Sequence, residues 1–247
     1  MDSGFYAACT GLIARTESLE TIANNLANSS TTAFRARHNV FSSVLASAHT
    51  SGLSVLNQDA NDYGVLGGQR LDETQGALQP TSNPLDMAIE GSGYFAVQLK
   101  SGATAYTRAG NFTVSRDRQL VTAGGDPVLG ENGAPITIVG QPVSVSADGT
   151  ISANGAIAGK LKVVEFAPNA QLQNSGTSYY TAPAGSAKTA TNSNVRQGML
   201  ESSNVNPVTS VVELITAQRD VESMRRVLTM FNSEIDKTAA QDLPHVS

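Results

Sequence analysis

Two apolar stripes, one at each end of the chain, repeat every seven residues. The members of the stripes are Phe5, Leu12, Leu19 and Leu26 at one end and Leu214, Val221, Leu228 and Ile235 at the other. Further apolar residues follow some of these by three positions: Ala8, Ile22, Ala217 and Met224. A seven-residue repeat keeps one face of a helix turned toward a partner helix. The sequence therefore predicts two long helices that pair with each other or with neighbouring subunits, which is more typical of an assembly protein than of an enzyme.

The residues between the stripes have the pattern of short strands joined by tight turns. Strand-like runs occur at 94–99, 105–107, 112–114, 120–122, 136–139, 143–146, 150–152 and 160–166. Asn132-Gly133, Asp148-Gly149 and Asn154-Gly155 separate some of them, and such pairs supply the positive φ values that hairpin turns need. Regularly spaced short strands indicate an antiparallel sandwich or barrel-like module. Residues 167–195 are poor in apolar side chains and predict a surface loop with edge strands.

The predicted fold class is α+β, with long N- and C-terminal coiled-coil-forming helices flanking a central antiparallel all-β domain. We assign 1–35 and 203–247 to the terminal helices, 36–83 to a mixed helical and extended connector, and 84–202 to the β-rich domain.

Local signals refine these elements. The apolar residues between Phe34 and Leu45 suggest a short continuing helix. Asn206 or Ser203 is suited to cap the C-terminal helix, and Pro207 suits its first turn. Isolated helices of such length are marginal in water, so we expect both terminal segments to be largely disordered in the free monomer.

Three amide side chains cluster near the end of the first stripe, at Asn24, Asn25 and Asn28. Asparagine has a poor helix propensity because its side chain competes for backbone hydrogen bonds. Two interpretations stay open: a frayed, solvated helix end, or amides that hydrogen-bond to neighbouring subunits.

Charge and composition argue against several classes of protein. The formal net charge is −5, and the densest basic group, Arg35, Arg37 and His38, is too small to attract nucleic acid. The single cysteine, Cys9, rules out an intramolecular disulfide. No apolar run approaches the ~18–20 residues that span a bilayer, so the chain is not expected to be inserted in a membrane. The first residues lack the basic and apolar regions of a signal peptide.

The residue patterns of catalysis and metal binding do not occur in the sequence. His38, His49 and His245 lie far apart, without the spacing of a metal-binding pair. Neither a Gly-x-Ser-x-Gly motif nor a phosphate-binding loop is present. Asp117 and Asp148 lie at turns, where carboxylates commonly accept local backbone hydrogen bonds. We therefore predict no catalytic residues, no metal and no cofactor.

Three segments resemble the axial proteins of the bacterial flagellum, the rod and hook family. Gly11-Leu12, the run IANNLAN at 22–28 and TTAF at 31–34 are similar to the family's N-terminal motif. DMAIEGSGYF at 86–95 with YTRAGNF at 106–112 resembles the start of its β-domain, and ESSNVNPV at 201–208 with AQR at 217–219 resembles its C-terminal motif. The segments occur in the family's order. One departure is Asp220-Val221, where the family usually has an aromatic residue.

The resemblance implies a structural subunit of the flagellar basal-body rod, without enzymatic activity. Within the family, the pattern is most like the proximal-rod member, with the distal-rod member as the alternative. The terminal helices would form the inner tube of a hollow drive shaft, and the β-domain would lie outside them. Its partners would be other rod subunits, neighbouring copies of itself and the flagellar type III export apparatus. Its location would be the periplasm-spanning rod, reached without a cleaved signal peptide.

The residues expected to carry assembly lie on the two stripes and in the terminal motifs. They are Leu12, Leu19, Ile22, Asn24, Asn25, Leu26, Asn28, Asn204, Val205, Leu214, Gln218, Arg219, Val221, Leu228 and Ile235. Two other functions stay open at this point. One is a secreted β-fold binding module with a private coiled-coil stalk, and the other is an extracellular hydrolase that uses turn carboxylates such as Asp117 or Asp148.

Overall fold

Helices form where the seven-residue stripes predict them. In the computed structural model, α1 is Asp2–Ala27 and α2 is Pro207–Asp242. Asn206 caps α2, because its Oδ1 accepts hydrogen bonds from the backbone N–H groups of Val208 at 3.0 Å and Thr209 at 3.3 Å. Of the two cap residues that the sequence suggested, Asn206 is therefore confirmed. Neither helix is long and apolar enough to cross a bilayer within the described part of the chain.

The structure describes residues 2–43, 64–167, 170, 172–176 and 178–242, which fall into two units. The first unit is formed by Met1–Ala27, Ala36–Asp72 and Asn206–Ser247. The second is formed by Asn28–Arg35 and Glu73–Val205. Together the elements make an α+β protein, with one helix near each terminus of the sequence and the strands of antiparallel sheets between these helices in chain order.

A β-hairpin accompanies the two helices in the first unit. Its strands are β1, Arg37–Ser43, and β2, Gly64–Leu71, which pair antiparallel and contact α1. The short helix predicted over 34–45 is therefore wrong for residues 37–43. Cross-strand pairing satisfies their backbone groups, and β-branched and aromatic residues such as Val40 and Phe41 favour strands. Val44 and Leu45, which contributed to that prediction, lie outside the described residues.

The second unit consists of short strands. They are β3 Leu78–Pro80, β4 Met87–Glu90, β5 Tyr94–Gln98, β6 Thr104–Thr107, β7 Thr113–Val114, β8 Leu120–Val121, β9 Val143–Val145, β10 Thr150–Ala153, β11 Ala156–Lys160, β12 Val163–Glu165, β13 Gln173–Asn174, β14 Tyr179–Thr181, β15 Lys188–Thr189, β16 Asn194–Gln197 and β17 Met199–Glu201. The strand predicted over 136–139 is wrong: the run forms an isolated bridge between Thr137 and Gln119, because Pro135 and Gly140 bound the run on either side and keep it short.

Among the described residues of the second unit, every strand pair is antiparallel. The largest sheet has the order β13-β14-β6-β5-β12-β15, and a three-stranded sheet has the order β11-β10-β9. Three further pairs are β16-β4, β17-β3 and β7-β8. The edge strands predicted within 167–195 are confirmed, since β13 and β15 form the two edges of the largest sheet.

The core of the second unit lies between these sheets. Its completely buried members include Ile89, Phe95, Phe112 and Ile151, and the rings of Phe95 and Phe112 meet edge-to-face with centroids 5.1 Å apart. The backbone at position 110 lies so close to the backbone of Met87 that only glycine fits there. A Cβ on Gly110 would lie 1.6 Å from the carbonyl oxygen of Met87. The backbone N–H of Met87 in turn donates to the Gly110 carbonyl at 3.0 Å.

Candidate functional site

In the first unit, α1 and α2 lie antiparallel and contact each other. Arg15 Nη1 donates to Asp220 Oδ2 at 3.0 Å, and a Cβ on Gly11 would lie 3.3 Å from Met224 Cε. The partner number on α2 falls as the number on α1 rises, which fixes the antiparallel direction. Asp220, where the sequence departs from the family pattern, thus forms an ion pair with Arg15 of the other helix. Both of its side chains are about half exposed, so the pair adds less than about 1 kcal/mol to stability.

The residues of the predicted stripes lie on the more covered faces of the helices. Those that are half-buried are Leu12, Leu19, Ile22 and Leu26 on α1 and Leu214 and Leu228 on α2. Val221 is buried, with 5% of its surface exposed. Gln218 and Arg219 are exposed on α2, and the side chain of Ile235 lies outside the described residues. The structure thus places the stripe residues whose side chains it describes on one face of each helix, and their role in assembly stays a prediction.

A second apolar face of α2 stays exposed. Val208 is 74% exposed, Val212 is 61% exposed and Ile215 is 46% exposed. These residues follow the i, i+4, i+7 spacing that lines one side of a helix. This face was not predicted from the sequence. The available signal was that five of the eight residues from 208 to 215 are apolar, which is more than a single seven-residue stripe contains. An exposed apolar face of this kind is typical of a surface that contacts another protein.

Asn25 fastens the β-hairpin to α1. Its Nδ2 donates to the Arg37 carbonyl at 2.8 Å, and its Oδ1 accepts from the Arg37 N–H at 3.0 Å. The side chain is buried, with 7% exposed, so both ends of the amide are satisfied inside the chain. Asn25 therefore holds the backbone of β1 against the helix.

Thr21 continues this polar contact one turn earlier on α1. Its Oγ1 donates to Asn39 Oδ1 at 3.0 Å and accepts from Gln69 Nε2 at 3.1 Å. Thr21 thereby joins β1 and β2 to the same helix face. A polar groove lies beside it, lined in part by Asn24, Glu17 and Glu20.

The other predicted motif residues lie in the second unit. Asn28 Oδ1 accepts from Thr31 Oγ1 at 3.1 Å. Asn204 Nδ2 donates to the carbonyl and to the hydroxyl of Thr74, both at 3.2 Å. Val205 is buried, with 9% exposed. These contacts give the motif residues a structural role in holding the segments of the second unit together.

A buried carboxylate, Glu201, joins the segments that carry the family resemblance. Its Oε1 accepts from Arg35 Nη2 at 3.2 Å and from the Gly76 N–H at 3.1 Å, and its Oε2 accepts from Arg108 Nε at 2.9 Å. All three charged side chains are 1–2% exposed. The Glu201 carbonyl also accepts the Ala33 N–H at 2.8 Å. A buried charge needs such partners, because leaving it unpaired costs several kcal/mol.

Arg108 is held on its other side as well. Its guanidinium lies over the Tyr94 ring, with Cζ 5.2 Å from the centroid, a cation–π contact. Its Nη2 also donates to the Gly91 carbonyl. Burial raises the pKa of Tyr94, and the charges of Arg35 and Arg108 partly oppose that rise.

The buried cluster of Arg35, Arg108, Glu201 and Tyr94, which we call the arginine–glutamate cluster, was not predicted from the sequence. Each residue belongs to or adjoins one of the motifs, but nothing in a single sequence tells which charged residues are buried together. The available signal was Glu201 itself, a charge that directly follows the apolar pair Met199-Leu200 in a strand. Its charged groups pair with one another inside the second unit, so the cluster serves to stabilise buried ions.

Two carboxylates at turns accept hydrogen bonds within the second unit. Asp148 accepts hydrogen bonds from the hydroxyl of Thr150 at 2.8 Å and from its N–H at 3.2 Å, and these bonds lower the pKa of Asp148. Tyr179 donates to Asp126 Oδ2 at 2.8 Å, and desolvation raises the pKa of this phenol. Within the described ranges, no group of three or more His, Cys, Asp or Glu residues could hold a metal ion.

Models of flagellar protein families match three parts of the chain. Residues 5–35 match a model described as flagella basal body rod protein. Residues 88–153 match the flagellar hook protein FlgE/F/G D1 domain, and residues 196–241 match the flagellar basal body rod FlgEFG protein C-terminal region. The matches contain all four residues of the arginine–glutamate cluster.

Full-length relatives carry the same family name. The flagellar basal-body rod protein FlgF of Caulobacter vibrioides is 32% identical over 251 residues, which cover 100% of both chains. FlgF of Salmonella typhimurium is 36% identical over 93% of this chain and 94% of its own. FlgG of Agrobacterium fabrum, also a basal-body rod protein, is 32% identical over 90% of this chain and 92% of its own. With three family regions in order and relatives above 30% identity along its length, the chain belongs to the FlgE/F/G family of flagellar rod and hook proteins.

Proposed function

We propose that this protein is a subunit of the proximal flagellar rod, polymerising through its terminal helices as a coiled-coil-like tube. That it is a structural subunit of the flagellar basal-body rod, and not an enzyme, follows from its family. Other rod subunits and further copies of itself are then its partners. The proximal-rod member that the sequence resembles is FlgF, and relatives named FlgF match 93–100% of the chain, which supports the finer assignment to the proximal rod.

The observation that carries polymerisation is the exposed apolar face of α2. Val208, Val212 and Ile215 remain exposed although α2 already contacts α1. A contact between this face and a different face of the next subunit is heterologous, and repeated heterologous contacts that do not close produce an open helical filament. Because Gln218 and Arg219 are exposed on the same helix, we include them among the residues that contact neighbouring subunits.

The distal rod is the second candidate. FlgG of Agrobacterium fabrum, a second rod protein of the family, matches at the same 32% identity as FlgF of Caulobacter vibrioides, so identity alone does not separate the two rod proteins. Family membership, in contrast, favours both rod positions over a secreted binding module. We also propose that the chain reaches the rod through the flagellar type III export apparatus, which agrees with a place in the periplasm-spanning rod.

Electron microscopy of basal bodies isolated from cells that lack this gene tests the proposal. We expect membrane-ring complexes without a completed rod or hook, and restoration of the rod by a plasmid copy of the gene. A short rod that lacks only its distal segment would assign the protein to the distal rod. Complete, hook-bearing basal bodies would overturn the rod function altogether.

A further inference from the structure

The segment that directly follows α1 belongs to the second unit, whereas α1 itself belongs to the first. We call this segment, residues 28–35, the strap. The Thr31 N–H donates to the Asn28 carbonyl at 3.1 Å and the Phe34 N–H donates to the Thr31 carbonyl at 3.2 Å, so the strap is compact. Its last three residues are only 1–2% exposed. The strap is therefore a buried part of the second unit and not a free linker.

The strap is fastened to the segment that precedes α2. The Ala33 N–H donates to the Glu201 carbonyl at 2.8 Å, and the Asn204 N–H donates to the Phe34 carbonyl at 3.2 Å. Arg35 Nη2 donates to Glu201 Oε1 at 3.2 Å. Two backbone hydrogen bonds and a buried ion pair thus join the chain shortly after α1 to the chain shortly before α2.

Both sides of this fastening are held in place by the second unit. Ala33 has a φ of 55°, a conformation that a residue with a Cβ keeps only where the surrounding contacts hold it. On the other side, the Ser202 N–H donates to the Ala77 carbonyl at 2.9 Å. Gly76 packs so closely there that a Cβ on it would lie 2.0 Å from the Ser202 carbonyl oxygen. Residues 201–205 are therefore a fixed support for the strap.

The register of α1 on α2 agrees with two helices that start from neighbouring points. Arg15 contacts Asp220, and the helices run antiparallel. Twelve residues further along α1 lies Ala27, its last residue, and twelve residues back along α2 lies Val208, the second residue of α2. The observed register therefore places the end of α1 opposite the start of α2.

The strap shortens the connection between α1 and the fixed support. Five residues, 28–32, lie between Ala27 and the fastened Ala33. If the strap were detached, α1 would be joined to the second unit only at Glu73, through all of residues 28–72. Joining two ends through a longer chain costs more entropy and lowers the effective concentration of one end at the other. The strap therefore raises the effective concentration of the two helix ends for each other.

We propose that Arg35 and Glu201 are positioning residues for assembly, because they hold the strap against residues 201–205 and so keep the end of α1 beside the start of α2. A seven-residue repeat also permits registers that are shifted by whole repeats. Fastened ends select the register in which Ala27 lies opposite Val208. This inference rests on the proposed function, since the paired terminal helices are the part that we assign to polymerisation.

The effective concentration of the two helix ends can be measured with a disulfide. Ala27→Cys and Val208→Cys, both at exposed positions, are combined in a Cys9→Ala background. The free full-length protein is then equilibrated with oxidised and reduced glutathione, and the fraction of the intramolecular disulfide gives the effective concentration. Arg35→Met removes the guanidinium and keeps an apolar stem. We expect it to lower the effective concentration about tenfold or more.

Two controls separate positioning from stability. Ile151→Val lies in the core of the second unit and destabilises it without touching the strap, so it should leave the effective concentration unchanged while the second unit is folded. In concentrated urea the strap is detached in every variant. Arg35→Met and the parent should therefore have equal effective concentrations there.

A folded Arg35→Met variant with the parent's effective concentration would refute the inference and leave the proposed function standing. If Arg35→Met does not fold, Phe34→Ala takes its place, because it removes the buried ring of the strap and leaves the ion pair between Arg108 and Glu201 intact. The same loss of effective concentration is expected, and an unchanged value would again refute the inference.

Incorporation into basal bodies links the strap to assembly. At equal protein levels in cells, Arg35→Met should complete fewer rods than Ile151→Val. Normal incorporation of Arg35→Met despite a lowered effective concentration would show that the strap does not guide assembly, and would overturn the inference. Absence of the parent chain from basal bodies would instead refute the proposed function on which the inference rests.

Discussion

At the residue scale, Glu201 connects several segments of the second unit. It accepts charge-assisted hydrogen bonds from Arg35 and Arg108, and all three side chains are almost completely buried. Arg35 also donates to the Glu73 carbonyl. Arg35 is the last residue of one segment of the second unit and Glu73 is the first of the next. One carboxylate thus ties together segments that are far apart in sequence.

Replacing Glu201 by Gln should destabilise the second unit by about 3–5 kcal/mol, because two buried guanidinium groups lose their counter-charge while the side-chain volume is kept. The measurement is urea denaturation of the full-length protein, followed by a signal from the β-sheets. The matched control is Glu90→Gln, which removes the carboxylate from an ion pair with Arg196 whose side chains are 55% and 50% exposed. That change should cost less than about 1 kcal/mol. Equal losses in the two variants would contradict the assigned importance of the cluster.

The buried tyrosines of the second unit should make its stability depend on pH in the alkaline range. Desolvation raises the pKa values of Tyr94, Tyr106 and Tyr179 in the folded protein, whereas tyrosine in the unfolded chain ionises near pH 10. The stabilisation from the neutral phenols is therefore complete below about pH 10 and is lost as the pH rises through the folded values. We expect the free energy of unfolding to fall as the pH rises above about 10. Tyr179→Phe should reduce that fall, and an unchanged pH profile in this variant would contradict a raised pKa at Tyr179.

At the scale of elements, the parts that depend on local periodicity could be predicted from the sequence. The seven-residue stripes gave α1 and α2, and Asn-Gly and Asp-Gly pairs gave several turns, because these signals act within a few residues. The hairpin β1–β2 was missed, since its pairing partners lie more than twenty residues apart. The arginine–glutamate cluster was missed for the same reason: burial of Arg108 and Glu201 depends on segments 93 residues apart.

The start of α2 gives a prediction about a single element. Asn206→Ala removes the oxygen that accepts the N–H groups of Val208 and Thr209, which should destabilise the helix by about 0.5–2 kcal/mol. Circular dichroism during thermal unfolding measures the loss. Asn206→Asp keeps a capping oxygen and should retain most of the stability, so a similar loss in both variants would show that the cap is not the cause.

At the scale of the whole molecule, the exposed apolar face of α2 indicates a helix that is completed by other subunits. We therefore expect the free monomer to show less helix by circular dichroism than the 26 and 36 residues of α1 and α2 would give, because helices that lack their partners are marginal in water. The missing helix should appear on polymerisation. Ordering that occurs only at incorporation would also limit assembly before export. A free monomer, confirmed by sedimentation, with the full helical signal would contradict this expectation.

Leu26 allows folding and assembly to be separated in one chain. It is half-buried on the stripe of α1, in the first unit. Leu26→Asp places a charge on the apolar face that we assign to packing between helices, so it should abolish incorporation into basal bodies and motility. The second unit should unfold at the same urea concentration as in the parent, because Leu26 is not part of its core. Leu26→Met keeps an apolar side chain of similar volume and Ser101→Asp adds the same charge outside the helices, so both should incorporate normally. Normal motility and incorporation of Leu26→Asp would mean that the α1 stripe does not carry assembly.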